Sequence, residues 1–72
     1  MIRVKLAIEL GKNKMSKKKL SDLTGIRSST VSALYYEKAK RIDLKMMNEL
    51  CKALNCQVSD LFEYEENKEE YE

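Results

Sequence analysis

The segment Lys17–Leu34, KKKLSDLTGIRSSTVSAL, decides the fold because a glycine at its centre separates two short helical patterns. On the first side, Leu20 and Leu23 have the spacing of one helix face, and Ser16 can cap the free amides at the start of that helix. Gly25 follows where a left-handed residue ends a helix. The segment therefore predicts a short helix that begins near Ser16 and ends at a tight turn.

The second half of the segment repeats this organisation. Ile26 and Val31 have the spacing of a hydrophobic staple around a cap at Arg27 or Ser28. Val31 and the leucine three residues after it then form an apolar helix face. We expect a second short helix that runs to about Tyr36, so that two helices flank the glycine turn.

Further helix starts follow downstream. Ile42 and Met47 flank a cap at Asp43, and apolar residues recur on one face as far as Leu54. Ser59 is expected to cap a last helical turn. The sequence after the glycine turn therefore predicts two more helices, the second of them very short.

The first ten residues allow two interpretations. Ile2, Val4 and Leu6 alternate like a strand, whereas Leu6 and Leu10 fit one face of a helix. We favour a helix from about residue 6, preceded by a short strand whose only candidate partner is the segment 62–64. The expected fold is all-α, a compact bundle of four to five short helices with an optional pair of terminal strands.

Composition restricts the function. A chain of 72 residues makes one small domain, and its 43% hydrophobic and 36% charged residues suit a single core with a wet surface. Histidine is absent, and Cys51 and Cys56 cannot complete a four-ligand zinc site or form a Cys-x-x-Cys motif. We therefore expect reduced cysteines, no metal, no cofactor and no enzymatic activity.

The apolar residues near the N-terminus do not form a hydrophobic run. Lys5 and Glu9 interrupt them, and no stretch approaches the roughly 20 apolar residues that a membrane helix needs. The sequence therefore predicts a soluble protein of the cytoplasm without a membrane partner.

Charge is distributed unevenly along the chain. Residues 63–72 contain six glutamates and one lysine, a formal charge of −5. Since the whole chain has a formal charge of +2, residues 1–62 carry +7. A basic domain attracts polyanions through the release of counterions, which makes nucleic acid the first partner to consider. We divide the chain into a domain of residues 1–64 and an acidic, flexible tail of residues 65–72.

The segment Lys17–Leu34 resembles the helix-turn-helix of the lambda-repressor and Cro-like family of DNA-binding regulators. The resemblance extends over roughly residues 6–62, and in the motif it rests on Leu20, Ser21, Gly25, Ile26, Val31 and Leu34. Two residues depart from the family pattern, since Lys17 stands where glutamine is common and Ser21 where alanine is usual. The first alters how a phosphate would be held, and the second needs a local hydrogen-bond partner if it is buried.

The resemblance implies that the start of the second helix reads base edges in the major groove. The residues placed there are Arg27, Ser28, Ser29, Ser32 and Ala33. Arginine can bond both guanine O6 and N7, whereas serine specifies little and alanine can touch a thymine methyl. The competing interpretation is that the serines only cap the helix, which we expect of at least one of them.

Basic and phenolic residues around the two helices are candidates for contact with phosphate. They are Lys17, Lys18, Tyr36, Lys38, Lys40 and Arg41. Cations at a helix N-terminus oppose the helix dipole but suit a bound phosphate. The alternatives are a solubilising lysine run for the first two and a solvated loop for the last three, and we expect one of the two adjacent tyrosines to lie in the core.

These observations favour a sequence-specific regulator of transcription that binds double-stranded DNA. It is repressor-like or antitoxin-like, and we expect it to act as a homodimer that occludes a promoter, with no small-molecule effector. The alternative is a protein-interaction module that keeps the fold without reading DNA, which the plain recognition helix and the glutamate-rich tail support.

Overall fold

A computed structural model describes residues 1–66. They form five helices, with one short strand before the first helix and one after the last. In chain order these elements are β1 (Ile2–Val4), α1 (Leu6–Asn13), α2 (Lys17–Thr24), α3 (Ser28–Tyr35), α4 (Leu44–Leu54), α5 (Val58–Leu61) and β2 (Phe62–Tyr64). The predicted tail residues 67–72 lie outside the described part of the chain. The expected bundle of short helices with a strand pair is confirmed.

The two strands join the ends of the described chain. They are antiparallel, with Ile2 opposite Tyr64 and Val4 opposite Phe62. Beyond the strands, the Met1 ammonium donates to the Glu65 carbonyl at 2.6 Å, and the Glu65 amide donates to the Met1 carbonyl at 2.8 Å. The strand interpretation of residues 2–4 and the helix interpretation from residue 6 are therefore both correct, each for its own segment.

The predicted glycine turn is present between α2 and α3. Ser16 caps α2 by accepting a hydrogen bond from the Lys19 amide at 3.0 Å, and Gly25 ends the helix with a φ of 76°. Glycine adopts this left-handed conformation without the steric cost of a Cβ. The half-buried hydroxyl of Ser21 donates to the Ile26 carbonyl at 2.6 Å, which is the local partner that the departure from alanine required.

The caps of the two later helices differ in how well the sequence indicated them. Asp43 caps α4 as expected, accepting from the Met46 amide at 2.7 Å. The expected cap at Ser59 is wrong. The cap of α5 is Gln57, two residues earlier, whose amide donates to the Asp60 carboxylate at 2.9 Å as in a capping box.

Nine apolar side chains from the helices and the glycine turn form one core. They are Leu6, Leu10, Leu20, Ile26, Val31, Leu34, Leu50, Leu54 and Leu61. Leu23 was expected on the same helix face as Leu20, but Leu20 is the buried residue of α2 and Leu23 is 53% exposed. No helix within residues 1–66 is long and apolar enough to cross a membrane.

Candidate nucleic-acid interface

The helix α3 is anchored on one side only. Val31 and Leu34 are almost fully buried, so the residues that helical geometry places opposite them face outward. Ser29 lies on that outward face and is exposed, while Ser32 and Ala33 are half-buried on it. The fold therefore presents a row of small side chains along one outward face of α3, and the major groove of a duplex is wide enough to admit an α-helix.

The start of α3 agrees with one expectation and contradicts another, since the cap is Arg27, one of the two predicted positions, but no serine caps the helix. Arg27 occupies the cap position, and no side chain bonds the first amides of the helix. Ser28 and Ser29 lie inside the first turn, exposed to solvent, so the expectation that at least one serine caps this helix is wrong. The physical reason is the position of Ile26, which packs before the cap and fixes the helix start one residue ahead of the serines.

Arg27 lines an open groove between the glycine turn and the start of α4. The same groove is lined by Asp43, Lys45 and Glu49, so it carries both signs of charge. Arg27 is exposed and has no ion-pair partner within residues 1–66. Its side chain is thus available to a ligand that approaches the start of α3.

Lys17 and two tyrosines form a compact cluster beside the exposed face of α3. The Lys17 ammonium lies 4.5 Å from the ring centroid of Tyr35 and 4.6 Å from that of Tyr36. It also donates a hydrogen bond to the Tyr36 hydroxyl at 2.9 Å. This hydrogen bond, followed by the charge of Lys17 and then of Lys38, lowers the pKa of Tyr36.

The geometry of this cluster suits an anion. Because the Tyr36 oxygen accepts from Lys17, its own O–H proton remains free to donate outward. The ammonium keeps further N–H donors as well, since lysine has three. We name Lys17, Tyr35 and Tyr36 the lysine–tyrosine cluster; it brings together two predicted phosphate ligands that are 19 residues apart in sequence.

The other predicted phosphate residues are more scattered. Lys18 is 86% exposed and lies 3.4 Å from the Asp22 carboxylate, one helical turn away. Lys38 follows the end of α3 and is exposed. Lys40 and Arg41 line an apolar groove beside the strands, together with Ile2. Within residues 1–66, none of these four residues makes a hydrogen bond to the lysine–tyrosine cluster, although the charge of Lys38 acts on Tyr36.

Sequence reasoning assigned Tyr35 no site and missed one ion pair. Tyr35 is half-buried against the core, which confirms that one tyrosine of the pair is a core residue, yet its ring also contacts Lys17. Arg3 and Glu37 form an ion pair at 2.8 Å next to the cluster. The adjacency of the two tyrosines was the only sequence signal for the contact between Tyr35 and Lys17. Nothing in the sequence indicated the ion pair of Arg3 and Glu37.

The two cysteines lie away from this face. Cys51 and Cys56 are half-buried thiols that line a shallow groove at the end of α4. Burial, and to a lesser extent the neighbouring Cys51, raises the pKa of Cys56 to about 11, which keeps its reactive thiolate form scarce near neutral pH. Residues 1–66 contain no cluster of three histidine, cysteine or acidic side chains suited to a metal ion.

Comparison with known proteins identifies a family. The model of the Cro/C1-type HTH DNA-binding domain matches residues 5–67. The chain is also 38% identical over 68 residues to the uncharacterized HTH-type transcriptional regulator YozG of Bacillus subtilis (strain 168), a match that spans 94% of this chain and 81% of that protein. The matched residues include every helix described above.

Proposed function

We propose, because this chain belongs to the family of Cro/C1-type HTH DNA-binding domains, that it regulates transcription by binding double-stranded DNA in a sequence-specific manner. The observation that carries the proposal is the position of the lysine–tyrosine cluster. It offers hydrogen-bond donors beside α3, whose outward face is exposed at Ser28 and Ser29 and half-buried at Ser32 and Ala33. Contacts with phosphate position a protein on DNA, and contacts with base edges read the sequence.

In this proposal the phosphate contacts come from both ends of the helix-turn-helix. Lys17 and Tyr36 hold one phosphate together, Lys18 lies next to them on α2, and Lys38, Lys40 and Arg41 follow the backbone beyond α3. The N-terminus of α2 adds the favourable end of a helix dipole, which an anion can approach more easily than a cation. The support is that all six side chains carry N–H or O–H donors and lie on exposed or partly exposed positions.

Base reading falls to the start of α3. Arg27 supplies the strongest preference, for guanine, because its guanidinium can donate to O6 and N7 together. Ser28, Ser29 and Ser32 add hydrogen bonds of low selectivity, and Ala33 adds a contact with a thymine methyl group. This division makes specificity depend mainly on one residue, which favours recognition of a short core sequence.

A single helix pair contacts few base pairs, so we propose that the protein acts as a homodimer. The two recognition helices would then enter successive major grooves about 34–36 Å apart. In this proposal binding itself is the output, by occlusion of a promoter in a repressor-like or antitoxin-like role. Such a protein works in the cytoplasm and needs no small-molecule effector.

Fluorescence anisotropy with a random duplex at several salt concentrations tests the first step. The logarithm of the binding constant should fall with the logarithm of salt concentration with a slope steeper than about −3, which corresponds to three or more phosphates. Lys52→Ala, which removes an exposed charge at the end of α4, is the control and should leave the slope almost unchanged.

Selection from a random duplex pool then tests sequence reading. An enriched site with two copies of a short element, one helical turn apart, supports the dimeric reader. Affinity for duplex DNA no tighter than millimolar at low salt would contradict the proposal and favour the protein-interaction module.

A further inference from the structure

The helix α3 ends in a strained turn. The Glu37 amide bonds the Leu34 carbonyl and the Lys38 amide bonds the Ala33 carbonyl, which together form a Schellman motif. Glu37 has a φ of 59°, a left-handed conformation that this position usually assigns to glycine. A glutamate in this conformation costs backbone energy that a glycine would not, and the interactions of its side chain can offset this cost.

The side chain of Glu37 is held by the first strand. Arg3 donates to both carboxylate oxygens of Glu37, from Nε and Nη2, each at 2.8 Å. The Val4 amide, which does not point toward β2, donates to the same carboxylate at 3.1 Å. Arg3 also lies 3.7 Å from the Glu65 carboxylate, so the interaction connects both strands to the end of α3.

This ion pair lies directly beside the proposed phosphate contacts. Glu37 follows Tyr36, which binds Lys17, and precedes Lys38; it is the only acid in the segment 36–41. An unpaired carboxylate there would repel DNA phosphates, since like charges oppose each other across a polar contact. Arg3 cancels that charge and at the same time fixes the turn from which Tyr36 projects.

We infer that Arg3 and Glu37 are positioning residues of the DNA interface, which hold Tyr36 against Lys17 and neutralise the acid within the phosphate-facing segment. The inference rests on the proposed DNA-binding function for its second part only. Its first part concerns the geometry of the free protein and can be measured without DNA.

The test in the free protein uses tyrosine labelled with carbon-13. The pKa of Tyr36, which Lys17 lowers, reports whether the two residues remain in contact. In Arg3→Ala and Glu37→Gln the pKa of Tyr36 should rise toward the ordinary value of tyrosine. Glu37→Gly, which relieves the backbone strain but also removes the carboxylate, should show the same rise. An unchanged pKa of Tyr36 in these three variants would overturn the positioning role.

The test with DNA separates charge from position. Arg3→Ala should weaken binding to a random duplex by roughly three- to tenfold, because it removes a cation and uncovers Glu37. The double variant Arg3→Ala with Glu37→Gln should recover the part of this loss that comes from charge, and the loss that remains reports the released Tyr36. Lys52→Ala should show less than about a twofold change. Equal losses in Arg3→Ala and Lys52→Ala, or no recovery in the double variant, would contradict the neutralising role. Failure of the unmodified protein to bind any duplex would reject the proposed function, while the tyrosine measurement would still decide the positioning role.

Discussion

At the scale of single residues, the proposed interface contains side chains that are held by neighbours and side chains that have no partner in the described chain. Lys17 is restrained by two aromatic rings and a hydrogen bond, whereas Arg27 has no ion-pair partner in the described chain. A restrained donor loses little side-chain entropy when it binds a phosphate, while a free one can adapt to a base edge. The two residues should therefore respond differently to substitution.

Replacing each of these residues by alanine tests that difference. Lys17→Ala should weaken preferred and random duplexes by the same factor and reduce the salt slope by about 1. Arg27→Ala should cost about 1–3 kcal/mol on the preferred site and relax the choice of one base pair, because it removes a bidentate contact. Anisotropy titrations on both kinds of duplex measure these effects. The opposite distribution of losses would mean that α3 docks in another orientation.

The ion pair of Glu37 makes stability depend on pH. Arg3, through its hydrogen bonds, and the Val4 amide lower the pKa of Glu37 from 4.5 to about 2. Because the pKa of Glu37 is lower in the folded protein, the charged carboxylate stabilises the fold at pH values above its ordinary pKa. This contribution is lost as the pH falls from about 4.5 to 2. Thermal unfolding followed from pH 6 to about 2.5 should therefore show a smaller loss of melting temperature in Glu37→Gln than in the unmodified protein.

The control for this measurement is Glu63→Gln, which removes an exposed carboxylate of β2 that forms no ion pair within residues 1–66. It should retain the pH dependence of the unmodified protein. If Glu37→Gln and the unmodified protein lose melting temperature in parallel, the ion pair does not form in solution.

At the scale of helices, the caps determine where each element begins. Asp43→Ala should lower the free energy of unfolding by about 1 kcal/mol, because the Met46 amide loses its acceptor. Ser59→Ala should change it by less than about 0.5 kcal/mol, since that hydroxyl lies inside α5 and caps nothing. Denaturant unfolding of both variants checks this contrast. A larger effect of Ser59→Ala would place the start of α5 elsewhere.

Local patterns predicted the helix-turn-helix well because each signal acts over a few residues. Ser16 and Gly25 bound α2 by contacts within their own turns, so the sequence contains the information in one place. The cap of α5 was misassigned because Gln57 and Ser59 are both plausible caps, and only the hydrogen bond from the Gln57 amide to Asp60 distinguishes them. Where two possible caps lie within a few residues, the sequence alone does not decide where the helix begins.

Contacts between distant residues set the remaining limit. Arg3 and Glu37 are 34 residues apart, and no periodicity or turn signal links them. The two tyrosines show the same limit on a smaller scale, since their order in the chain does not tell which one packs against the core. Only the packing of α3 turns Tyr35 inward and leaves Tyr36 57% exposed. The helices could therefore be predicted from the sequence alone, whereas the contacts of the candidate site could be identified only from the folded structure.

At the scale of the whole molecule, the distribution of charge along the chain is the main feature. Residues 1–62 carry +7 and residues 63–72 carry −5, so acidic residues directly follow a basic domain in sequence. Non-specific binding to DNA depends mainly on summed charge, whereas specific binding adds contacts in the groove. We propose that the C-terminal glutamates compete with DNA for the basic surface, against the simpler interpretation that they keep a basic protein soluble.

Neutralising Glu69, Glu70 and Glu72 with glutamine tests this competition while leaving Glu65 and its contacts with Met1 and Arg3 in place. Binding to a random duplex at low salt should tighten severalfold, because three negative charges no longer oppose the phosphates. The gain should fade as salt rises, since screening shortens the range of exposed charges to about 8–10 Å at physiological salt. Binding to the preferred site should tighten less, because the proposed groove contacts of Arg27 depend less on summed charge. Lys68→Gln is the control of opposite sign and should weaken random binding slightly under the same conditions. An unchanged ratio of random to preferred affinity in the triple variant would leave solubility as the role of these glutamates.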